Sequence, residues 1–149
     1  MNYEDKDLTT AIDLKKRKTE AKWQSSCGEG GPNRSVDQDA GYRFVACNTR
    51  AEVLDAGHNG EKLSSIDTGD GVDDPSYSPA THMLYVGAAK DARLTVARVD
   101  ATGKLSKVAV VQTHEGARNG VVTKDGTVYL AHSQLGKLAG VVVVAPSGK

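Results

Sequence analysis

The sequence predicts an all-β protein made of β-propeller blades, each a set of four antiparallel strands. Three observations carry this. A short strand-like phrase is written three times, as "RFVACN" at 43–48, "LYVGAA" at 84–89 and "VYLAHS" at 128–133. The aromatic residue in each phrase, Phe44, Tyr85 and Tyr129, recurs at spacings of 41 and 44 residues. Turn residues separate the apolar stretches, in keeping with 16 glycines among 149 residues, because glycine adopts the backbone angles that tight turns require.

The elements follow in order. "TTAIDLKKRKTEAKW" (9–23) aligns with the third and fourth strands of a blade, Ile12-Asp13 matching Leu54-Asp55 and Val99-Asp100. Its Lys, Arg, Glu and Ala also suit an amphipathic helix over 7–22; the repeat register favours strands, so we expect a partial blade at 9–23. The first whole blade is expected at about 33–67. There the turn "QDAG" (38–41) leads into the first phrase, and "AEVLDAG" and "EKLSSID" supply the outer strands. The second, at about 73–113, repeats the plan with "SPATH" (78–82), "RLTVARVDATG" and "KLSKVAVVQT". The third, at about 119–145, has "KDG" (124–126) and "LAGVVVVAPSG" but no fourth strand. A unit of about 43 residues with four short strands has the period and content of a propeller blade. In "RLTVARVD" the apolar residues alternate as a half-buried strand requires, with a break near Ala97.

Composition narrows the function classes. Lys+Arg and Asp+Glu are both 19, so the formal net charge is zero, which argues against a nucleic-acid or membrane-surface role. No apolar run approaches the ~20 residues of a spanning helix. "MNYEDKDLTT" is too acidic and polar for a secretory signal, and localisation stays open. Cys27 and Cys47 are the two cysteines. They pair, or they are two buried thiols; two cysteines do not make a disulfide scaffold.

The stretch "FVACN" followed by "AEVLDAGHNGEKLSSIDTGDGVDDPSYSP" resembles the YVTN-type β-propeller repeat, and the resemblance covers nearly all of 8–145. It implies the propeller fold and kinship with lactone-opening propellers. The chain departs from the pattern at Ala89 and Ser133, which replace the Asn matched by Asn48.

On the propeller plan, the loops from fourth to next first strand and from second to third strand share one face around the central channel. The first set includes Glu29, Asn33, Asp67, Asp70, Asp73, His114, Glu115, Arg118 and Asn119; the second includes Asn48, Arg50, Lys90, Asp91 and His132. His114, Glu115, Arg118 and His132 are the candidate catalytic residues, with a histidine as general base and Arg118 stabilising an oxyanion. Asp67, Asp70 and Asp73, with Asp74, form a carboxylate cluster that would suit calcium, although aspartates in a glycine-rich turn have a plainer capping role. His58 and His82 fall in hairpin turns on the opposite face and are set aside. The serine-hydrolase, zinc-protease and phosphate-loop motifs are missing.

Two function classes follow. One is a binding or scaffold module that takes a small-molecule or protein ligand at its loop face. The other is a hydrolase of lactones or esters, calcium-assisted or metal-free. The uneven strand count adds a partner: a homodimer in which 9–23 of one chain lie against 138–145 of the other, closing an apolar sheet edge that would otherwise stay open.

Overall fold

The computed structural model describes residues 2–3, 8–24, 27, 34–132 and 139–147. These residues form four antiparallel sheets in which every hydrogen-bonded neighbour is a neighbour in sequence. Sheet one comprises β1 (Asn2–Tyr3), β2 (Leu8–Asp13) and β3 (Lys18–Gln24). Sheet two comprises β4 (Arg34–Asp37), β5 (Tyr42–Ala46), β6 (Arg50–Asp55) and β7 (Glu61–Asp67). Sheet three comprises β8 (Ser76–Ser78), β9 (Met83–Ala88), β10 (Arg93–Val99) and β11 (Leu105–Gln112). Sheet four comprises β12 (Asn119–Val122), β13 (Val128–His132) and β14 (Gly140–Val144).

The helix alternative at 7–22 does not form: β2 and β3 pair instead, from Leu8↔Gln24 to Asp13↔Lys18. Sheet one is also wider than expected, because β1 pairs with β2 ahead of the anticipated two strands. The alternation break near Ala97 is a β-bulge between Val96 and Ala97 where β10 pairs with β11. The same irregularity falls at Ala11/Ile12 in sheet one and at Val53/Leu54 in sheet two. A bulge in the same hairpin of three sheets bends each outer pair alike, which keeps the repeated sheets nestable.

Aspartate closes each of these hairpins. Asp13, Asp55 and Asp100 accept backbone N–H bonds from the turns that follow them, Asp13 from Lys15 at 2.8 Å, Asp55 from Gly57 at 2.7 Å and Asp100 from Thr102 at 2.8 Å. A carboxylate that satisfies turn amides fixes where the strand stops.

Burial follows from stacking. β6 and β9 are buried along nearly their whole length, because neighbouring sheets cover both faces of their own sheets. Leu84 and Val86 join Phe44, Val53 and Tyr77 in the core between sheets two and three. Tyr85, on the opposite face of β9, joins Leu94, Val128 and Leu130 between sheets three and four. Phe44 is fully buried, with its ring centroid 4.5 Å from that of Tyr77; burying such a side chain contributes about 1.5–3 kcal/mol. Sheet four is different. Its strands alternate, and Val121, Tyr129, Val141 and Val143 are exposed on one face.

Cys27 and Cys47 form a disulfide with a Cα–Cα distance of 4.8 Å, tying the segment before sheet two to the end of β5. The two-buried-thiols alternative is therefore excluded. The sulfurs sit with Val45 and Leu54 on the face of sheet two opposite the Phe44 core.

Candidate functional site on the loop face

The two expected loop sets do meet. The 68–72 loop leaves β7 and lies on the β5–β6 and β9–β10 connections. Thr68 N donates to Thr49 O at 2.9 Å, Val72 N to Asn48 O at 3.2 Å, and Ala89 N to Gly71 O at 3.0 Å. The next loop repeats the arrangement, with Gly116 N donating to Ala89 O at 2.9 Å. Gly87 makes this possible: a Cβ there would come within 2.9 Å of Arg118 Cα. The backbone of 117–118 thus rests directly on β9, an approach that only glycine permits.

Charges on this face are organised in pairs. Lys90 Nζ lies 3.1 Å from Asp70 Oδ2, Arg93 Nη2 3.1 Å from Asp91 Oδ2, and Arg118 Nε 3.2 Å from Asp73 Oδ2. The Lys90 ammonium holds the Asp70 carboxyl below the usual carboxylate range. Burial pushes the Asp74 carboxyl up, the neighbouring Asp73 charge adds to this, and Arg118 works against both. Arg93 also donates to Thr68 O at 3.0 Å, so it clamps one loop from the adjoining sheet.

His114 and His132, from the β11–β12 loop and the end of β13, stack with ring centroids 5.1 Å apart and planes at 18°. His132 occupies the space a side chain at residue 140 would need; a Cβ on Gly140 would lie 2.7 Å from its Nε2. Glu115 and Arg118 share the loop of His114, with both side chains exposed. The four candidate catalytic residues therefore lie on one face, but Arg118 is engaged by Asp73.

Asp67, Asp70 and Asp73 do not gather as a calcium site requires. Asp67 ends β7 opposite Arg50 in the ladder, while Asp70 and Asp73 each hold a different cation. Among the described residues, the close-set group of metal-ligating types is Cys27, Cys47 and Glu52, with ligand atoms within 4.8 Å. The disulfide removes both thiolates, so this group is not a metal centre. Glu29 and Asn33 lie outside the described residues.

Two features escaped the sequence reading. Glu52 is fully buried, 2.8 Å from Arg50 Nε and 3.6 Å from Lys62 Nζ; "RAEVLD" reads as an ordinary strand and gives no hint that its carboxylate faces inward. The other is on the opposite face, where Tyr77 Oη lies 2.6 Å from Asp37 Oδ2 and 3.1 Å from His82 Nδ1. In the sequence His82 reads as a plain hairpin-turn residue. The available signal was its position: it ends "SPATH" where "QDAG" and "KDG" end in glycine.

The four stacked, sequentially wound sheets make this an all-β protein of the β-propeller type. Solved structures with propeller-type folds match it throughout. A chain of the mitotic checkpoint complex superposes with TM-score 0.75 at 12% identity, over 97% of this chain and 45% of that one. Hydrazine synthase of Kuenenia stuttgartiensis gives 0.72 at 20% identity, over 97% and 46%. A Lactobacillus plantarum protein gives 0.56 at 12%, over 91% and 50%. The chain thus spans about half the length of these structures or less. No protein-family model matches the sequence, and no curated protein matches it. At these identities the likeness defines the fold and leaves function to the site.

Proposed function

We propose that this propeller is a binding module that takes a small-molecule or protein ligand on its loop face. The supporting observation is the pairing of charges there. Asp70, Asp73 and Asp91 each hold a cation from a neighbouring element, and the loops beneath them are joined by backbone hydrogen bonds. Such a face presents a fixed pattern of charge and shape, which is the requirement for recognition. The stacked His114 and His132 rings add an aromatic element to it.

A second reading is a hydrolase of lactones or esters, the activity implied by the resemblance to YVTN-type repeats. One observation favours it: His114 and His132 stack on the face that also carries Glu115 and Arg118. His114 would then activate water, and Arg118 would leave Asp73 to meet the developing oxyanion.

A thermal-shift ligand screen run beside a pH-stat screen of lactones and esters, with and without EDTA, separates the readings. The binding module predicts stabilising ligands without turnover, their shifts lost in a His114→Ala, His132→Ala double variant. Turnover that falls by ~10² to 10⁴ in His114→Ala, but not in His82→Ala, would hand the site to the hydrolase. Ligand shifts indifferent to the double variant would remove the loop face altogether.

We further propose that two copies associate through the exposed face and edge of sheet four, with 9–23 of one chain against 138–145 of the other. Val121, Tyr129 and Val143 form one row across that sheet, and Val141 lies in the next. Such a contiguous apolar patch marks an interaction surface. Light scattering of the 15.7 kDa chain should give a dimer; a stable monomer, unchanged on deleting 1–24, would sink the idea.

A further inference from the structure

Sheets one and two are unequal partners at the turn face. Sheet two has four strands, whereas the described part of sheet one has three, and β1 is only two residues long. Trp23 of β3 covers one side of this end of sheet two. Its ring fills the space a side chain at residue 60 would need, and its Nε1 donates to Asn59 Oδ1 at 3.2 Å, both in the β6–β7 turn. On the other side, Val36 of β4 stays 40% exposed. A cleft of about 260 Å³ opens there, with Val36, Gln38, Gly41, Arg43 and Ala56 in its lining.

Arg43 stands between Trp23 and this cleft. It is the cross-strand partner of Val36 in β4 and of Leu54 in β6, so the three side chains rise from one face of sheet two. Phe44, its neighbour in sequence, points the other way, into the core shared with sheet three. The guanidinium carbon of Arg43 lies 5.6 Å from the centroid of the Trp23 ring. That contact engages the flat face of the cation and leaves its in-plane N–H donors to other partners.

The fold supplies no such partner. Among the described residues Arg43 makes no ion pair or hydrogen bond, and its Nε is buried without an acceptor. The nearby carboxylates are taken. Asp37 accepts from Tyr77 and from the amides of Asp39 and Ala40, and Asp55 is held by His58 and by the amide of Gly57. A partly buried charge is normally paired or hydrogen-bonded, so Arg43 has the environment of a group that meets its counter-charge from outside.

The lining selects among anions. A planar carboxylate matches the guanidinium fork. Asp37 and Asp55 both lie opposite Tyr42, the residue before Arg43, and their charges oppose a dianion more than a monoanion. Val36 and Ala56 offer apolar contact. The volume lies below the ~300–1,000 Å³ range of drug-sized sites, which restricts the ligand to a short chain.

We propose that this cleft binds a small aliphatic monocarboxylate. The carboxylate meets the edge of the Arg43 guanidinium, the alkyl chain lies on Val36 and Ala56, and Trp23 holds the guanidinium plane in place. The site lies on the face away from His114 and His132, so it stands or falls independently of the loop-face reading.

Trp23 is the chain's one tryptophan, so its fluorescence reports on the site. Sodium butyrate titrated into the full-length chain at constant ionic strength should change that emission saturably, with calorimetry run in parallel. n-Butanol and butylammonium lack the carboxylate and should bind at least about tenfold more weakly, the scale of a lost charge-assisted hydrogen bond. Inorganic phosphate should also bind more weakly than butyrate. Arg43→Gln should lose at least about tenfold in affinity, and so should Arg43→Lys, which keeps the charge but not the planar fork. Val36→Asp, an exposed change that sets a like charge in the cleft, should do the same and serves if the Arg43 variants do not fold. Absence of saturation in both emission and heat at millimolar butyrate, butanol or phosphate binding as tightly as butyrate, or undiminished affinity in the folded variants would overturn the proposal.

Discussion

The two ends of the stacked sheets solve the same problem in different ways. At the loop face, polar groups come from long connections and are satisfied across sheets: Lys90 by Asp70, Arg118 by Asp73, Asn48 O by Val72 N. At the turn face, the connections are short and each aspartate first satisfies its own turn, as Asp13, Asp55 and Asp100 do. The loop face is thus fixed only once neighbouring sheets have stacked, whereas most of the turn face is fixed within each hairpin. Asp37 is the exception, because it serves its own turn and also reaches across to Tyr77. The lesson is that local sequence codes the turn face and tertiary packing codes the loop face.

The largest expected effect comes from removing the packing on which both ends depend. Phe44→Ala empties the space against Tyr77 between sheets two and three and should cost about 3–5 kcal/mol in chemical denaturation. A loss under about 1 kcal/mol would show that the sheets do not rely on this contact. Gly87→Ala tests the loop face alone. Its new Cβ meets the Arg118 backbone, so the 116–118 loop must lift, at about 1–3 kcal/mol. Hydrogen exchange should rise at Gly116 while the hairpins closed by Asp55 and Asp100 stay protected. Uniform exchange across both ends would break the proposed contrast.

Tyr77→Phe tests a buried inter-sheet link at the turn face. It leaves Asp37 and His82 without their bridge and should cost about 1–3 kcal/mol near neutrality. The pH dependence has a definite sign. Asp37 has a lowered carboxyl pKa when folded, so its contribution is full above the ordinary carboxylate value and is lost as pH falls through the folded one. Wild-type and variant stabilities should therefore converge in acid; a constant gap would mean the hydroxyl does not act through Asp37. Asp73→Asn should bring the Asp74 carboxyl down toward its ordinary value, since burial remains but the neighbouring charge goes. Carbon-detected NMR titration reads this directly, and an unmoved Asp74 would deny the coupling.

The smallest effect belongs to an exposed hairpin. His58 Nδ1 sits 2.7 Å from Asp55 Oδ2, and that hydrogen bond raises the imidazole above its usual value. The pair's contribution is present below the ordinary histidine range and fades as pH rises through the folded value. His58→Ala should therefore leave the melting temperature nearly unchanged at alkaline pH and lower it slightly at mildly acidic pH. An equal drop at both would show that the turn, rather than the charge, matters.

Strand order, the repeat, the position of the bulge in β10 and the meeting of the two loop sets were all legible, because each rests on period-2 alternation or on turn residues close in sequence. Composition alone does not dismiss the helix alternative at 7–22: Lys, Arg, Glu and Ala favour a helix locally, and only pairing along β2, with Trp23 packed on Gly60 and bonded to Asn59, makes the strand win. His114 and His132 were nominated separately, but their stacking depends on two loops from different sheets.

By itself, then, the sequence determined the strand repeat, the aspartate-closed turns and the glycine positions, since these are settled by dihedral preferences and hydrogen bonds spanning a few residues. Tertiary structure alone decided which carboxylate met which cation, that Cys27 reached Cys47, that Glu52 was buried and that His82 took the place of a glycine to join Tyr77 and Asp37. Most of those outcomes hinge on side chains 20 to 45 residues apart being brought within bonding distance by sheet stacking. Local propensity carries no information about such distances.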